Sequence, residues 1–387
     1  MTYAQGRGST TSLGRRWLPA ALCATLAALL VATACVSPRQ ASAAASPRHP
    51  IPTLAFYYIW YTTTSWRRAK IDLPLLGAYS SDERKVMRQH IRWAKSAGID
   101  GFIVSWKDTP TLDRRLKTLI EIADQEHFKL ALIYEGLDFE RRPLAAGRVA
   151  ADLDLFASRY ARDRAFRMYS KPLVIWSGTW EFTRAEVARV AREVRPRVLL
   201  LVSEKNTRGY RRVADLVDGD AYYWSSVNPR TFPKYPQKLL EMGAAVHAHR
   251  GLWIAPAAPG FNARRIGGRS VVPRRDGQTL REEMNGALAS SPDAIGLISW
   301  NEFSENSHVE PSRKYGLRYL RVLADILGTG KKVVPAIPDF SSDAQSAHGS
   351  SYGATVLGGV SALAVVLMFV VFLRRRSGRA RPRMREQ

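Results

Sequence analysis

The run Leu54-Ala55-Phe56-Tyr57-Tyr58-Ile59 is a continuous stretch of apolar and aromatic residues. Seven further short runs of apolar, β-branched and aromatic residues follow it, and a stretch with helical periodicity follows each. The eight predicted strands span residues 54–59, 101–105, 129–134, 172–176, 198–202, 221–224, 252–255 and 294–300. Apolar strands separated by helices indicate a parallel sheet. Eight such units predict an α/β fold, a single (β/α)8 barrel of the TIM type, over residues 50–330.

The stretches between the strands support the same architecture. Amphipathic helices are predicted, for example, at residues 82–97, 112–126, 183–192, 278–289 and 315–327. The first strand is not followed by a glycine-rich phosphate-binding loop, which argues against an open nucleotide-binding sheet. A closed barrel therefore fits better than a doubly wound sheet.

The composition excludes several classes of protein. With 46% hydrophobic and 24% charged residues, the chain is neither a disordered protein nor a polytopic membrane protein. Its two cysteines, Cys23 and Cys35, lie near the N-terminus, so no disulfide framework or thiolate metal site is expected. The net charge of +24 favours anionic neighbours. No motif for nucleic-acid recognition accompanies it, so nucleic acid is not a predicted partner.

The residues that follow the predicted strands point to carbohydrate. A barrel of this type carries its active site at the carboxyl ends of its strands. Aromatic rings and carboxylates gather at these positions: 57–61, Trp106, Tyr134 and Glu135, Trp176, Glu204, 222–224, and 300–305. Paired carboxylates perform acid and base catalysis on glycosidic bonds. Glu302 and Glu305, three residues apart in the loop after the eighth strand, form the strongest candidate pair.

Other carboxylates and aromatics of this rim have ordinary structural explanations as well. Glu204 precedes Lys205 and could form a surface ion pair with it. A tryptophan or tyrosine at a strand end often serves only packing. Glu135 ends an apolar strand, where a carboxylate must be paired, solvated or functional.

Several motifs between residues 54 and 327 resemble, in the same order, those of glycoside hydrolase family 99, the endo-α-mannosidases, and its broader relatives. The most specific is Ser299-Trp300-Asn301-Glu302-Phe303-Ser304-Glu305 with Val309-Glu310-Pro311 after it, which resembles the family's Asn-Glu-Trp-x-Glu signature. Further matching stretches are FYYIWY at 56–61, LGAYSSD at 76–82, AGIDGF at 97–102, VSEK at 202–205 and PAAPGF at 256–261.

The resemblance implies a retaining, endo-acting hydrolase of α-mannosidic linkages in a polysaccharide, with no metal or cofactor. It implies that Glu302 deprotonates the substrate's own 2-hydroxyl, giving a 1,2-anhydro sugar. Glu305 would protonate the departing oxygen and then activate water. The implied substrate-binding residues are Asn301, which orients the substrate, Glu135 and Tyr223, which line the subsite at the cleaved bond, Trp106, which stacks on a sugar, and Tyr58 and Tyr61 of the first-strand motif.

Two alternatives to this hydrolase stay open. The chain has Phe303 and Ser304 where the family has Trp and usually His, and Asn306 where the family has Gly. A non-catalytic glycan-binding protein could keep the cleft without turnover. Residues 300–320 also resemble family-99-like proteins that are labelled glycosyltransferases and belong to surface-polysaccharide assembly. Such a protein needs an activated sugar donor, to which an exported domain has little access.

Both ends of the chain predict export and membrane attachment. Arg15 and Arg16 precede the apolar stretch 18–32 and the small residues Ala41-Ser42-Ala43, which predicts a secretory signal over 1–43. An uncleaved anchor and lipidation at Cys35 are the alternatives.

The C-terminal region completes this prediction. Residues 331–353 form a linker rich in Ser, Ala, Gly and Pro. Residues 354–373 carry no charge and have the length of a single transmembrane helix. The arginines that begin the tail 374–387 place it in the cytoplasm by the positive-inside rule, which puts the barrel outside the cell membrane.

Overall fold

The computed structural model describes residues 51–138 and 140–329. Eight parallel strands close into a barrel, in the order β1, β10, β7, β6, β5, β4, β3, β2 around its circumference. The predicted (β/α)8 barrel is therefore confirmed. The barrel strands are β1 (Thr53–Tyr58), β2 (Gly101–Trp106), β3 (Lys129–Glu135), β4 (Leu173–Ser177), β5 (Leu199–Val202), β6 (Gly219–Ala221), β7 (Leu252–Ala257) and β10 (Ala294–Leu297). Strands β8 (Phe261–Asn262) and β9 (Val271–Val272) form a separate antiparallel hairpin.

Helices surround the barrel, and local signals fix where some of them begin. The Thr109 side chain accepts a hydrogen bond from the Leu112 amide at the start of α2, and Thr183 and Glu186 form a capping box at the start of α4. The helices are α1 (Arg84–Ser96), α2 (Pro110–Gln125), α3 (Ala146–Tyr160), α4 (Arg184–Val194), α5 (Thr207–Arg211), α6 (Tyr235–Ala248), α7 (Gln278–Ala289) and α8 (Arg318–Ile326).

Alternation along each strand separates two buried layers. In β1, Leu54, Phe56 and Tyr58 belong to the cluster that fills the barrel interior. Their neighbours Ala55 and Tyr57 belong to the larger cluster between the strands and the helices. Because successive side chains of a strand point to opposite faces, the face of any strand-end residue follows from its position in the strand.

Two strands end earlier than the sequence predicted. The sixth strand is Gly219–Ala221, not 221–224. Within it, Asp220 pairs with Val202 and accepts a hydrogen bond from the Glu204 amide. The last strand ends at Leu297 rather than at residue 300. The amide of Ser299 donates to the carbonyl of Ser307, so the chain has already turned back on itself there.

The described residues contain no helix long and apolar enough to cross a membrane. The predicted signal segment 1–43, the linker 331–353, the transmembrane helix 354–373 and the basic tail 374–387 lie outside the described residues.

Candidate active site

The loop that follows β10 carries both candidate glutamates. Its first anchor is Asn301, a fully buried residue whose side chain joins the loop to the end of β1. Asn301 Oδ1 accepts a hydrogen bond from the Tyr58 amide at 2.9 Å, and its Nδ2 donates to the Tyr58 carbonyl at 3.0 Å. The Tyr61 hydroxyl donates to the Asn301 carbonyl at 2.7 Å. The Asn301 side chain therefore binds the backbone of Tyr58. It is not directed at a substrate, as the resemblance had implied.

Glu302 is buried but well supplied with hydrogen-bond donors. Its Oε1 accepts a hydrogen bond from the Ser304 amide at 2.9 Å, and its own amide donates to the Ser299 hydroxyl at 2.8 Å. Burial raises the pKa of Glu302, while the Lys70 ammonium and the Ser304 donors act against this shift. The surroundings of Glu302 thus stabilise its charged form in a site where burial alone would neutralise it.

Glu305 has the opposite surroundings. Its Oε2 is buried and has no hydrogen-bond partner within the part of the chain that the structure describes. Burial raises the pKa of Glu305 well above its usual range, and the negative charges of Glu302 and Glu135 raise it further, with Arg141 opposing. These surroundings favour the protonated form of the Glu305 carboxyl group.

Two tyrosines face this carboxylate pair from the barrel. A hydrogen bond joins the hydroxyl groups of Tyr58, at the end of β1, and Tyr223, just after β6. Burial raises the pKa of both hydroxyls, and the nearby charges of Glu302 and Glu305 add to the effect. Both tyrosines stay neutral. One hydroxyl donates to the other, which leaves one hydroxyl proton to donate, and oxygen lone pairs to accept, hydrogen bonds with sugar hydroxyls beside the carboxylates.

Glu135 belongs to the same cluster. It ends β3, is partly exposed, and accepts a hydrogen bond from the Ser105 hydroxyl at 3.3 Å. The predicted residues Glu302, Glu305, Glu135, Tyr58 and Tyr223 are thus brought together at the carboxyl end of the barrel.

Two predicted substrate contacts are not part of this cleft. Trp106 shares the outward face of β2 with Phe102 and Val104 and packs near Phe156 of α3, so it cannot stack on a sugar in the barrel mouth. Tyr61 is buried, with its ring stacked on Trp66 at 4.5 Å between ring centres. The Trp106 side chain serves packing, and the Tyr61 side chain serves packing and the hydrogen bond to the Asn301 carbonyl.

The structure adds residues to the cleft beyond the predicted set of substrate-binding residues. Lys70 and Arg141 lie in loops after β1 and β3, and their charges act on Glu302 and Glu305 respectively. Trp60 is partly exposed and its ring lies 4.3 Å from that of Tyr58, so its ring is accessible to a sugar. A single Lys or Arg in a loop belongs to no motif, so its sequence does not predict a place in the cleft. Trp60 stood in the quoted first-strand motif and could have been preferred to Trp106.

Glu204 forms an ion pair, although with a partner other than the predicted one. Its Oε1 accepts a hydrogen bond from Arg212 at 3.2 Å. Lys205 instead lies over the ring of Trp180. Within residues 51–138 and 140–329, no group of three His, Asp or Glu side chains is arranged to hold a metal ion.

A closed (β/α)8 barrel with two buried glutamates in unlike surroundings at its carboxyl end is the arrangement of a glycoside hydrolase. The family model of glycosyl hydrolase family 71 matches residues 75–319, more than half of the chain, and the protein belongs to this family. It is a glycoside hydrolase. No curated protein matches the sequence.

Solved structures with the same fold include family 99 enzymes. A GH99 endo-α-mannosidase from Bacteroides thetaiotaomicron, in complex with bis-tris-propane, superimposes with a TM-score of 0.64 and 21% sequence identity over 72% of this chain and 96% of that one. Another structure of a GH99 endo-α-mannosidase from that organism gives 0.63 and 20%, over 73% and 98%. A glycoside hydrolase-like protein gives 0.57 and 15%, over 72% and 94%. The predicted resemblance to family 99 enzymes is confirmed for the fold, and the family shown for this chain is family 71.

Proposed function

We propose that the protein cleaves an α-linked polysaccharide internally and with retention of configuration, in the manner of an endo-α-mannosidase. The observation that carries this proposal is the contrast between Glu302, which accepts hydrogen bonds near a lysine, and Glu305, whose buried Oε2 has no partner among the described residues. One carboxylate is thereby suited to act as a base and the other as an acid.

In the first step, Glu302 takes the proton of the substrate's 2-hydroxyl, and the 2-oxygen attacks the anomeric carbon. The bond from that carbon to the leaving oxygen breaks as Glu305 gives its proton to this oxygen. The product of the step is a 1,2-anhydro sugar. In the second step, Glu305 takes a proton from water, which opens the anhydro ring, and Glu302 returns its proton to the 2-oxygen. Two inversions at one carbon give overall retention.

The residues around the pair fit a sugar at the cleaved bond. Glu135, Tyr58 and Tyr223 supply one charged and two neutral hydrogen-bonding groups beside Glu305. Trp60 adds an accessible aromatic face. Similar folds are found in endo-α-mannosidases, which makes α-mannans the first polymers to test. α-Glucans and bacterial wall polysaccharides come next.

The test is reducing-end release by the purified full-length protein on these three groups of polymers. We expect release by the wild type, and a loss of about 100-fold or more for Glu305→Gln and for Glu302→Gln, because each removes a proton-transfer group. Glu241→Gln, on an exposed part of α6, is the matched control and should keep wild-type activity. Release that survives either active-site substitution would contradict the proposal. Binding without release from any polymer would favour the glycan-binding alternative.

We also propose that the enzyme acts outside the cell membrane, held there by a single C-terminal helix at residues 354–373. Support comes from the sequence: an uncharged stretch of membrane-spanning length stands directly before an arginine cluster. The full chain should sediment with membranes and be cut by protease added to intact cells, whereas a chain that ends at residue 353 should appear in the medium. Membrane association of the shortened chain would contradict a C-terminal anchor.

A further inference from the structure

Lys70, which is distant from Glu302 in the sequence, contacts the loop that carries Glu302. Lys70 lies in the loop between β1 and α1, and its Nζ donates a hydrogen bond to the Ser304 hydroxyl at 2.8 Å. The Ser304 amide in turn donates to Glu302 Oε1 at 2.9 Å. Lys70, Ser304 and Glu302 therefore form a continuous hydrogen-bonded chain between two loops that are more than 200 residues apart.

We propose that Lys70 is a positioning residue for hydrolysis, which acts through Ser304 to hold Glu302 in its charged form and in one orientation. This inference rests on the proposed function of Glu302 as the base. Lys70 also donates to the Arg68 carbonyl at 3.2 Å, so its ammonium is held at two points rather than free to swing into solvent.

Charge supports the role that geometry suggests. Among the groups that act on Glu302, burial raises its pKa, and the Lys70 ammonium is the largest influence in the opposite direction. Burial lowers the pKa of Lys70 itself, Glu302 raises it, and Arg68 lowers it further. The two groups thus stabilise each other's charged forms in a site that water reaches poorly.

Within the part of the chain that the structure describes, Lys70 is the cation among the main influences on Glu302. The remaining titratable groups that face Glu302 from the packed elements are Tyr58, Tyr61, Tyr223 and Glu305. The tyrosines are neutral, and Arg141 acts on Glu305. Within the described residues, Lys70 is the cation whose charge directly opposes neutralisation of Glu302.

The contact of Lys70 with Ser304 also explains one of the positions at which the chain differs from the family 99 signature. A serine at position 304 is small enough to place both its amide and its hydroxyl between Lys70 and Glu302. Phe303, the other departure, is fully buried with its ring against Trp66 and His308. One departure supports packing, and the other connects the lysine to the base.

The experiment is a pH titration of the Glu302 carboxyl carbon by NMR, in full-length protein labelled with 13C-glutamate and assigned by comparison with Glu302→Gln. It needs no substrate. We expect Lys70→Met to move the midpoint upward by about one pH unit, since it removes a nearby opposite charge. Lys70→Arg keeps the positive charge and should leave the midpoint close to the wild-type value. Ser304→Ala should move the midpoint upward, but by less than Lys70→Met.

Lys238→Met is the matched control. Lys238 is also a half-buried lysine that donates to a hydroxyl, that of Tyr222 at 2.7 Å, but it lies on α6 outside the barrel. It should leave the Glu302 midpoint unchanged. An unmoved midpoint in Lys70→Met would overturn the inference. Activity that survives Glu302→Gln would instead overturn the proposed function, so the two failures are distinguishable.

Discussion

Glu302 and Glu305 show how neighbours give two identical side chains different chemistry. Both are almost fully buried and lie in one short loop. Hydrogen-bond donors and a lysine surround the first, while burial and two other carboxylates act on the second. Ionisation of either carboxylate disfavours ionisation of the other. The spacing in the sequence indicated the pair, but only the fold shows which member has the donors.

Trp106 marks the limit of residue-level prediction. Its place at the end of a strand was foreseen correctly, but its direction was not. Strands of a parallel barrel are apolar on both faces, so β2 has no alternation of polar and apolar residues that would reveal which side faces inward. The face of Trp106 follows only from the shared outward direction of Phe102, Val104 and Trp106 in the assembled barrel.

At the scale of elements, the loop after β10 is held by a buried arginine. Arg274 donates hydrogen bonds to the carbonyls of Asn306 and His308, both at 2.8 Å. Its guanidinium lies 4.4 Å from the ring centres of both Tyr315 and Tyr319. The amide of Asn262, in the small hairpin, donates to the Glu305 carbonyl at 2.6 Å. Several elements therefore fix the loop that carries the two glutamates.

His308 of this loop makes the stability of the protein depend on pH. Burial and the charge of Arg274 lower the pKa of His308 to about 3. Between that value and the usual 6.5, the unfolded chain binds a proton that the folded chain refuses, so stability falls as pH drops. We expect His308→Gln to reduce the difference in unfolding free energy between pH 7 and pH 4.5 by about 2 kcal/mol.

The measurement is urea unfolding of wild type and variant at both pH values, with exposed His249→Gln as the control. The substitution also removes the stacking on Phe303, but that loss is common to both pH values and cancels in the difference. An equal pH dependence in wild type and His308→Gln would contradict the low pKa.

At the scale of the whole molecule, the barrel was predictable because one pattern repeats eight times. The strand bounds shifted by only a few residues, since β6 ends at Ala221 and β10 ends at Leu297. The cleft was less predictable, since Lys70, Arg141 and Trp60 come from loops whose paths depend on the closed barrel. A resemblance of sequence motifs supplied the two glutamates. The cations that act on these two glutamates could be identified only from the fold.

The most direct test of the account is the anomeric form of the sugar first released by the wild-type enzyme, observed by 1H NMR before mutarotation on the polymer that shows reducing-end release. Attack by the 2-oxygen followed by attack of water predicts the α-anomer as the first product, with the β-anomer appearing later. A β-anomer formed first would show single displacement by water and would contradict the assignment of Glu302 as base towards the 2-hydroxyl.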